Sequence, residues 1–182
     1  MKEILELRLP ITRVKQINLC GCGLAALEMI LRYHGAEIGQ LDFLRSDRRL
    51  QKRVEREDPK GLTETTIGVL ALKRGFKVSL YGARLNVNKT FLRLGGKIFN
   101  LRTDKELVLT LLRRGIPLII KIQSAREAYG NEVERIPHYV VVKGVGKDGT
   151  LHVADPWYDK EILKEYWERW SGSIIAIEGR AR

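Results

Sequence analysis

The sequence predicts an α+β protein in which N-terminal helices pack on a C-terminal antiparallel sheet. Helical periodicity dominates the first half, short apolar or β-branched runs dominate the second, and the two do not alternate as in βαβ units. There is no internal repeat, low-complexity tract or linker. The 182 residues therefore suit a single domain, 1–182.

The first predicted helix is the most apolar one. From Leu24 to His34 nearly every residue is apolar except Glu28 and Arg32, which lie four positions apart and share one stripe. Such a helix is expected to be buried on most sides, and Gly35 ends it. A second helix is predicted over about Gln40 to Lys52.

Two further helices are indicated by their ends. One runs from Thr63 as N-cap to Arg74 and stops at Gly75. For the other, Thr103 and Glu106 form the Ser/Thr-x-x-Glu pattern of a capping box before an apolar run that Gly115 closes.

Strands are predicted where the period changes to two. Phe76, Val78 and Leu80 alternate with polar or small residues, as a half-buried strand requires. Four later runs complete the predicted sheet: Leu118–Ile122, Tyr139–Val145, Leu151–Ala154 and Ile174–Ile177. Residues 147–149 are predicted to form the turn between the middle two. A late helix or turn is expected to pack three aromatic residues onto it: Tyr166, Trp167 and Trp170.

Composition predicts a soluble, cytoplasmic protein. Hydrophobic residues make up 44% and charged residues 30% of the chain, which excludes a disordered chain. The longest apolar runs are far shorter than the roughly 20 residues that span a bilayer. The N-terminus starts with Met1-Lys2-Glu3 and lacks the apolar run of a secretory signal.

The net charge of +11 favours contact with anionic partners without specifying one. The densest basic run, Arg45 to Arg56, also contains Asp47 and Glu55, and Phe43 is its only nearby aromatic residue. That pattern is typical of a solvated helix face rather than a platform on which nucleic-acid bases stack. Nucleic acid is therefore not the expected partner, although a weak contact with an anionic surface stays open.

The chain has two cysteines, Cys20 and Cys22, separated by one glycine. A disulfide across so short a loop would be strained. A structural zinc site takes about four ligands, and only three histidines are available to add to this pair: His34, His138 and His152. We therefore expect no disulfide, metal or other cofactor.

Cys22 is the better candidate nucleophile. It stands immediately before the apolar helix, where free backbone amides and the positive helix end favour a thiolate. Gly21 and Gly23 flank it and let a substrate approach. Cys20 lies outside the helix start and lacks this advantage, and the alternative is that both thiols are merely small buried side chains.

His138 and Asp155 are predicted to meet at the ends of two strands. If their strands pair as a hairpin, the outer ends are neighbours, and the acid fixes the tautomer of the imidazole. Singly, each has an ordinary structural explanation. His34 fits worse as a base because it lies about 18 Å along the helix from Cys22.

Gln16 lies six residues before Cys22, close enough to fold back and offer its amide beside the Cys22 backbone N–H. That position makes it the candidate oxyanion donor. The alternative is a polar loop residue without a catalytic role.

These motifs resemble the C39 peptidase family, papain-like cysteine peptidases known mainly as leader-cleaving domains of bacteriocin export transporters. Residues 16–30, QINLCGCGLAALEMI, resemble its pattern of Gln, four residues, Asp or Ser, then Cys-Gly-x-Ala-Ala. HYVVV at 138–142 and ADP at 154–156 resemble its later catalytic blocks. The middle of the chain, from 61–63 through 75–78 to 112–117, also fits.

The resemblance implies a papain-like fold and a cysteine peptidase that hydrolyses a peptide or protein substrate. It implies Cys22 as nucleophile, His138 as general base and acid, Asp155 as orienting residue and Gln16 as oxyanion donor. Gly21 departs from the Asp or Ser of the family, and no transmembrane or ATPase region follows in this sequence. Two alternatives stay open: transpeptidation, and a catalytically silent module that binds a peptide or an anionic partner, either nucleic acid or a membrane surface.

Overall fold

One mixed sheet organises the protein. The computed structural model describes residues 7–18, 20–56, 61–83, 85, 88–122, 137–158, 162–163 and 172–180. Within them eight strands pair in the order β3-β2-β8-β4-β5-β6-β7, and β1 adds to β5. The strands are β1 Leu7–Arg8, β2 Phe76–Tyr81, β3 Lys97–Phe99, β4 Leu118–Ile122, β5 His138–Val145, β6 Leu151–Ala154, β7 Ile162–Leu163 and β8 Ile174–Arg180.

Six helices accompany the sheet in the described part of the chain. They are α1 Cys22–Tyr33, α2 Gln40–Ser46, α3 Arg48–Glu55, α4 Glu64–Leu72, α5 Lys89–Arg93 and α6 Lys105–Arg113. The predicted α+β class is confirmed, although β2 and β3 pair in parallel while the other strand pairs are antiparallel. The predicted aromatic cluster of Tyr166, Trp167 and Trp170 lies outside the described residues.

Helix α1 is the centre of the core. Its residues from Cys22 to Leu31 are all buried, and it contacts β5, α4 and α2. Glu28 is buried within this stretch, whereas the Arg32 side chain four residues on is 55% exposed. The predicted burial of this helix on most sides is confirmed. An apolar helix is stabilised most where a sheet and other helices both cover it.

The single helix predicted over Gln40 to Lys52 is wrong. Asp47 has extended backbone angles (φ −143°, ψ 101°), ends α2 and caps α3. Its side chain accepts hydrogen bonds from the backbone N–H groups of Arg49 and Leu50. An aspartate that can satisfy two free amides favours a break over a continuous helix.

Helix α4 begins after Thr63, whose hydroxyl accepts from Thr66 N, as predicted. The capping residue of α6 differs from the prediction by one position. Asp104, not Thr103, accepts from Leu107 N. The Thr103 hydroxyl instead donates to Gly172 O and so ties this loop to the start of β8.

The hairpin of β5 and β6 brings two sequence-distant ends together. Val141 is opposite Ala154, so His138 and Asp155 both lie at the open end of the hairpin. The closed end is a tight turn in which Gly149 has φ +84°. The predicted hairpin is therefore present, with a register shift between Val142 and Gly144.

Candidate active site

Cys22 is the first residue of α1, one position further into the helix than expected. Its neighbour Gly21 is the N-cap, and Ala25 N donates to Gly21 O. Cys22 is 4% exposed and Cys20 is 7% exposed, and neither forms a disulfide. Burial does not distinguish the two cysteines, but only Cys22 lies within the helix, at its positive end.

The glycines around Cys22 have different structural reasons. A Cβ at Gly23 would lie 2.9 Å from Ile67 Cδ1 and 3.5 Å from Tyr139 Cδ2, so close packing requires glycine there. Gly21 has an ordinary φ of −79°. A Cβ at Gly21 would lie 3.3 Å from Asn18 O, so the Asp or Ser of related sequences would need a small shift of this loop.

His138 and Asp155 form a buried pair. His138 Nε2 lies 2.9 Å from Asp155 Oδ1, and the two residues are 7% and 0% exposed. The same carboxylate oxygen accepts from the backbone N–H groups of Trp157 at 2.7 Å and Tyr158 at 2.9 Å. Asp155 is therefore held rigidly and presents its charge to the imidazole.

The ionisation of His138 depends on its two partners. Burial alone would lower the pKa, but the hydrogen bond to Asp155, the hydrogen bond to Cys22 and the negative charges of both raise it to about 9. Since Nε2 is bonded to Asp155, Nδ1 is the ring nitrogen left for the Cys22 sulfur. The neighbouring carboxylate therefore favours the imidazolium form of His138 near neutral pH.

Gln16 is 6% exposed and lies in a loop folded back on the start of α1. Its backbone N–H donates to Pro156 O at 3.0 Å, and its side-chain Nε2 donates to Asn18 O at 2.5 Å. Asn18 O also accepts from Gly21 N at 3.1 Å. The Gln16 side chain is thus linked through one carbonyl to the residue before Cys22, and the Gln16 Oε1 atom is buried with no partner among the described residues.

The model of the Peptidase_C39 like family matches residues 8–175. The chain belongs to the Peptidase_C39 like family. No curated protein sequence matches it significantly.

Two solved structures share the fold of this C39-like chain. One is the peptidase domain of Streptococcus ComA, a bifunctional ABC transporter involved in quorum sensing, with 20% identity and a TM-score of 0.58. That match covers 93% of this chain and 99% of the other. The second is a double glycine motif protease from an AMS/PCAT transporter in complex with the leader peptide, with 20% identity and a TM-score of 0.59. It covers 97% of this chain and 99% of its own.

Arg13 is a residue of the C39-like site that sequence patterns did not indicate. Its Nε donates to Asp155 O at 2.5 Å and its NH2 group donates to Trp157 O at 3.1 Å. These bonds fix the turn that carries the Asp155 carboxylate. No signal in the sequence predicts them, because the partners are more than 140 residues apart.

Tyr139 connects strand β5 to the loop that precedes α4. Its hydroxyl donates to Leu62 O at 2.9 Å, and burial, followed by the charge of Glu64, raises the pKa of Tyr139. The phenol therefore stays neutral and acts as a donor that joins β5 to the loop before α4.

The other two histidines lie elsewhere. His34 Nε2 lies 2.9 Å from Ile177 O, just past the far end of α1, and His152 pairs with Gly144 inside the sheet. The described residues contain no group of three or more side chains that could hold a metal ion. None of the described helices has the length and apolar character needed to cross a membrane.

Proposed function

We propose that this C39-like chain is a cysteine peptidase in which Cys22, His138, Asp155 and Gln16 carry out acyl transfer. The observation that carries the proposal is the buried His138, bonded on one side to Asp155 and on the other to Cys22, with a pKa raised to about 9. An imidazolium of that kind stabilises a neighbouring thiolate, which is the nucleophilic form of cysteine.

The reaction proceeds in two steps. Cys22 Sγ forms a bond to the carbonyl carbon of the scissile amide, and the carbonyl oxygen becomes negative. When the C–N bond breaks, the His138 Nδ1 proton passes to the leaving amine. A water molecule then gives its proton to His138 and its oxygen to the acyl carbon, which releases the acid and restores the thiolate.

Asp155 and Gln16 have separate roles in this scheme. Asp155 keeps the Nε2 proton of His138 directed away from the sulfur, so that Nδ1 faces Cys22. Gln16 has a second amide hydrogen besides the one given to Asn18 O, and we assign it to the developing oxyanion together with the Cys22 backbone N–H.

The substrate class that we propose is a peptide. A solved structure of similar fold was obtained with a leader peptide and is described as a double glycine motif protease. A peptide with two glycines before the scissile bond is therefore the first substrate to test, against a matched peptide with two alanines. The mass of the product distinguishes water from an amine as acyl acceptor.

We also propose that residues 1–182 act as one domain, since one sheet links described residues from Leu7 to Arg180.

Alkylation kinetics test the nucleophile. Iodoacetamide should label Cys22 faster than Cys20, as measured by peptide mass spectrometry, and His138→Ala should slow the labelling of Cys22 only. Cys20 is a matched internal control, because its exposed fraction is 7% against 4% for Cys22. Equal rates for the two thiols, at the rate of free cysteine, would contradict the proposal.

A second candidate function is binding of an anionic partner, and one observation favours it. The α3 helix and its C-cap present cations on one exposed face of about 100°. None of the four forms an ion pair with another described residue: Arg48, Arg49, Lys52 and Arg56. The opposite face buries Leu50 and Val54.

Salt dependence separates this function from the leading one. If α3 binds an anionic partner, affinity for single-stranded DNA or for phosphatidylserine vesicles should fall steeply between about 50 and 200 mM salt. That affinity should survive Cys22→Ala and disappear in the double variant Arg48→Glu, Arg49→Glu. Absence of salt-sensitive binding by the wild-type protein excludes the second function and leaves the first untouched.

A further inference from the structure

Gln40 holds the backbone on both sides of Gln16. Its side-chain Nε2 donates to Lys15 O at 3.0 Å, and its Oε1 accepts from Ile17 N at 3.1 Å. Gln40 is the first residue of α2 and is 5% exposed. One buried amide therefore satisfies a carbonyl and an N–H group that flank the candidate oxyanion donor.

Glu28 fixes Gln40 from the nucleophile helix. Its Oε2 accepts from Gln40 N and from Gln40 Nε2, both at 3.1 Å. Its Oε1 lies 2.5 Å from Arg32 NH2, and the Glu28 side chain is 5% exposed. A buried carboxylate with these partners is a rigid acceptor, since a rotation would leave its charge unpaired.

These contacts form one continuous connection between two parts of the site. It runs from α1, which begins with Cys22, through Glu28 and Gln40 to the backbone on either side of Gln16. The only other restraint described for the backbone of Gln16 is its bond to Pro156 O. The distance between Cys22 and the side-chain amide of Gln16 is therefore controlled by Gln40, which belongs neither to α1 nor to the loop that carries Gln16.

We propose that Gln40, supported by Glu28, is a positioning residue that sets the Gln16 amide for oxyanion stabilisation. The inference rests on the proposed function, because it assigns Gln40 an effect on the same acyl-transfer step. Gln40 does not touch the reacting atoms. A donor contributes to catalysis only when it is held where charge develops, so loosening residues 15–17 weakens the oxyanion site without removing it.

Two reactions of the same thiol separate this role from general structural support. Acylation by 4-nitrophenyl acetate passes through a tetrahedral oxyanion, whereas alkylation by iodoacetamide displaces iodide and forms no oxyanion. Gln40→Ala should lower the acylation rate about tenfold, less than the roughly 100-fold or more that loss of an oxyanion donor costs, and should leave alkylation of Cys22 unchanged. His138→Ala should lower both rates.

A double-mutant cycle tests whether Gln40 acts through Gln16. Gln16→Ala should lower acylation by at least as much as Gln40→Ala, and the double variant should be no slower than Gln16→Ala alone. The matched control is Gln51→Ala, which removes an exposed amide bonded to Glu55 at 2.7 Å on α3 and should change neither rate. If Gln40→Ala does not fold, Gln40→Met keeps the side-chain volume and removes the same hydrogen bonds.

The outcomes are distinct. Selective loss of acylation, with no further loss in the double variant, supports the positioning role. Equal loss of acylation and alkylation in Gln40→Ala, or multiplicative losses in the double variant, overturns it while the proposed function stands. Failure of the wild-type protein to be acylated at Cys22 overturns the proposed function, and the role of Gln40 with it.

Discussion

The two ends of helix α1 are fixed by different kinds of interaction. At the first end, Cys22 is surrounded by hydrogen bonds and charges from segments far apart in the sequence. At the last end, Gly35 turns the chain with φ +79°, and His34 is bonded to the neutral Ile177 O. Both ends contain a histidine bonded through Nε2 at 2.9 Å, but only His138 faces a carboxylate. The charge of the partner, rather than the presence of a bonded imidazole, distinguishes the candidate active site.

The largest expected effect comes from making the two ends alike. Asp155→Asn removes the charge beside His138 and should lower the rate of peptide cleavage by about 10⁴-fold, as loss of the orienting carboxylate does in triads. His34→Gln, at the other end of α1, should leave the rate unchanged. Steady-state kinetics of both variants measure the contrast. If Asp155→Asn lowers the cleavage rate by less than about tenfold, the negative charge of Asp155 is not needed.

The stability of the protein should depend on pH through the same pair. The pKa of His138 is about 9 in the folded protein, above the usual value of about 6.5 for an unfolded chain. The proton therefore stabilises the folded state fully below pH 6.5, and this stabilisation is lost as the pH rises through 9.

The raised pKa of His138 corresponds to up to about 3 kcal/mol in the free energy of unfolding. Urea unfolding at pH 6 and at pH 9.5 measures it. His138→Ala should be less sensitive to pH over this interval than the wild-type protein. An unchanged difference between the two pH values in the variant would assign the dependence to other groups.

The smallest expected effect compares glycines at the two ends of α1. Gly23→Ala should lower the free energy of unfolding by about 2 kcal/mol, because the added Cβ would lie 2.9 Å from Ile67 Cδ1. Gly35→Ala should cost about 1 kcal/mol, because its backbone is left-handed although nothing lies within 4 Å of the added carbon. Urea unfolding gives both values. Cleavage kinetics should change only in Gly23→Ala, since that contact supports the helix start.

Much of the fold could be predicted from local patterns. The apolar stretch of α1, the cap at Thr63 and the β5–β6 hairpin are set by short-range chemistry, and their ends are where the candidate residues stand. The break at Asp47 was missed because a basic amphipathic run also suits one long helix. The parallel pairing of β2 and β3 depends on contacts that no local pattern records.

The candidate site could be predicted only for residues whose type and position in a helix or strand are characteristic of catalysis. Cysteine before a helix and His138 and Asp155 at strand ends are recognisable types at recognisable positions. Arg13 and Gln40 have no such type: each acts by bonding backbone groups of distant segments. Such roles arise only when the chain has folded, so a single sequence gives no indication of them.

One consequence concerns the outer surface of the connection between α1 and Gln16. A surface pocket of about 850 Å³ is lined in part by Ile17, Glu28, Arg32 and Gln40, on the outer side of the connection between α1 and Gln16. Under the proposed function, a substitution in the outer lining of this pocket would alter acylation through residues 15–17 without contacting the Cys22 sulfur.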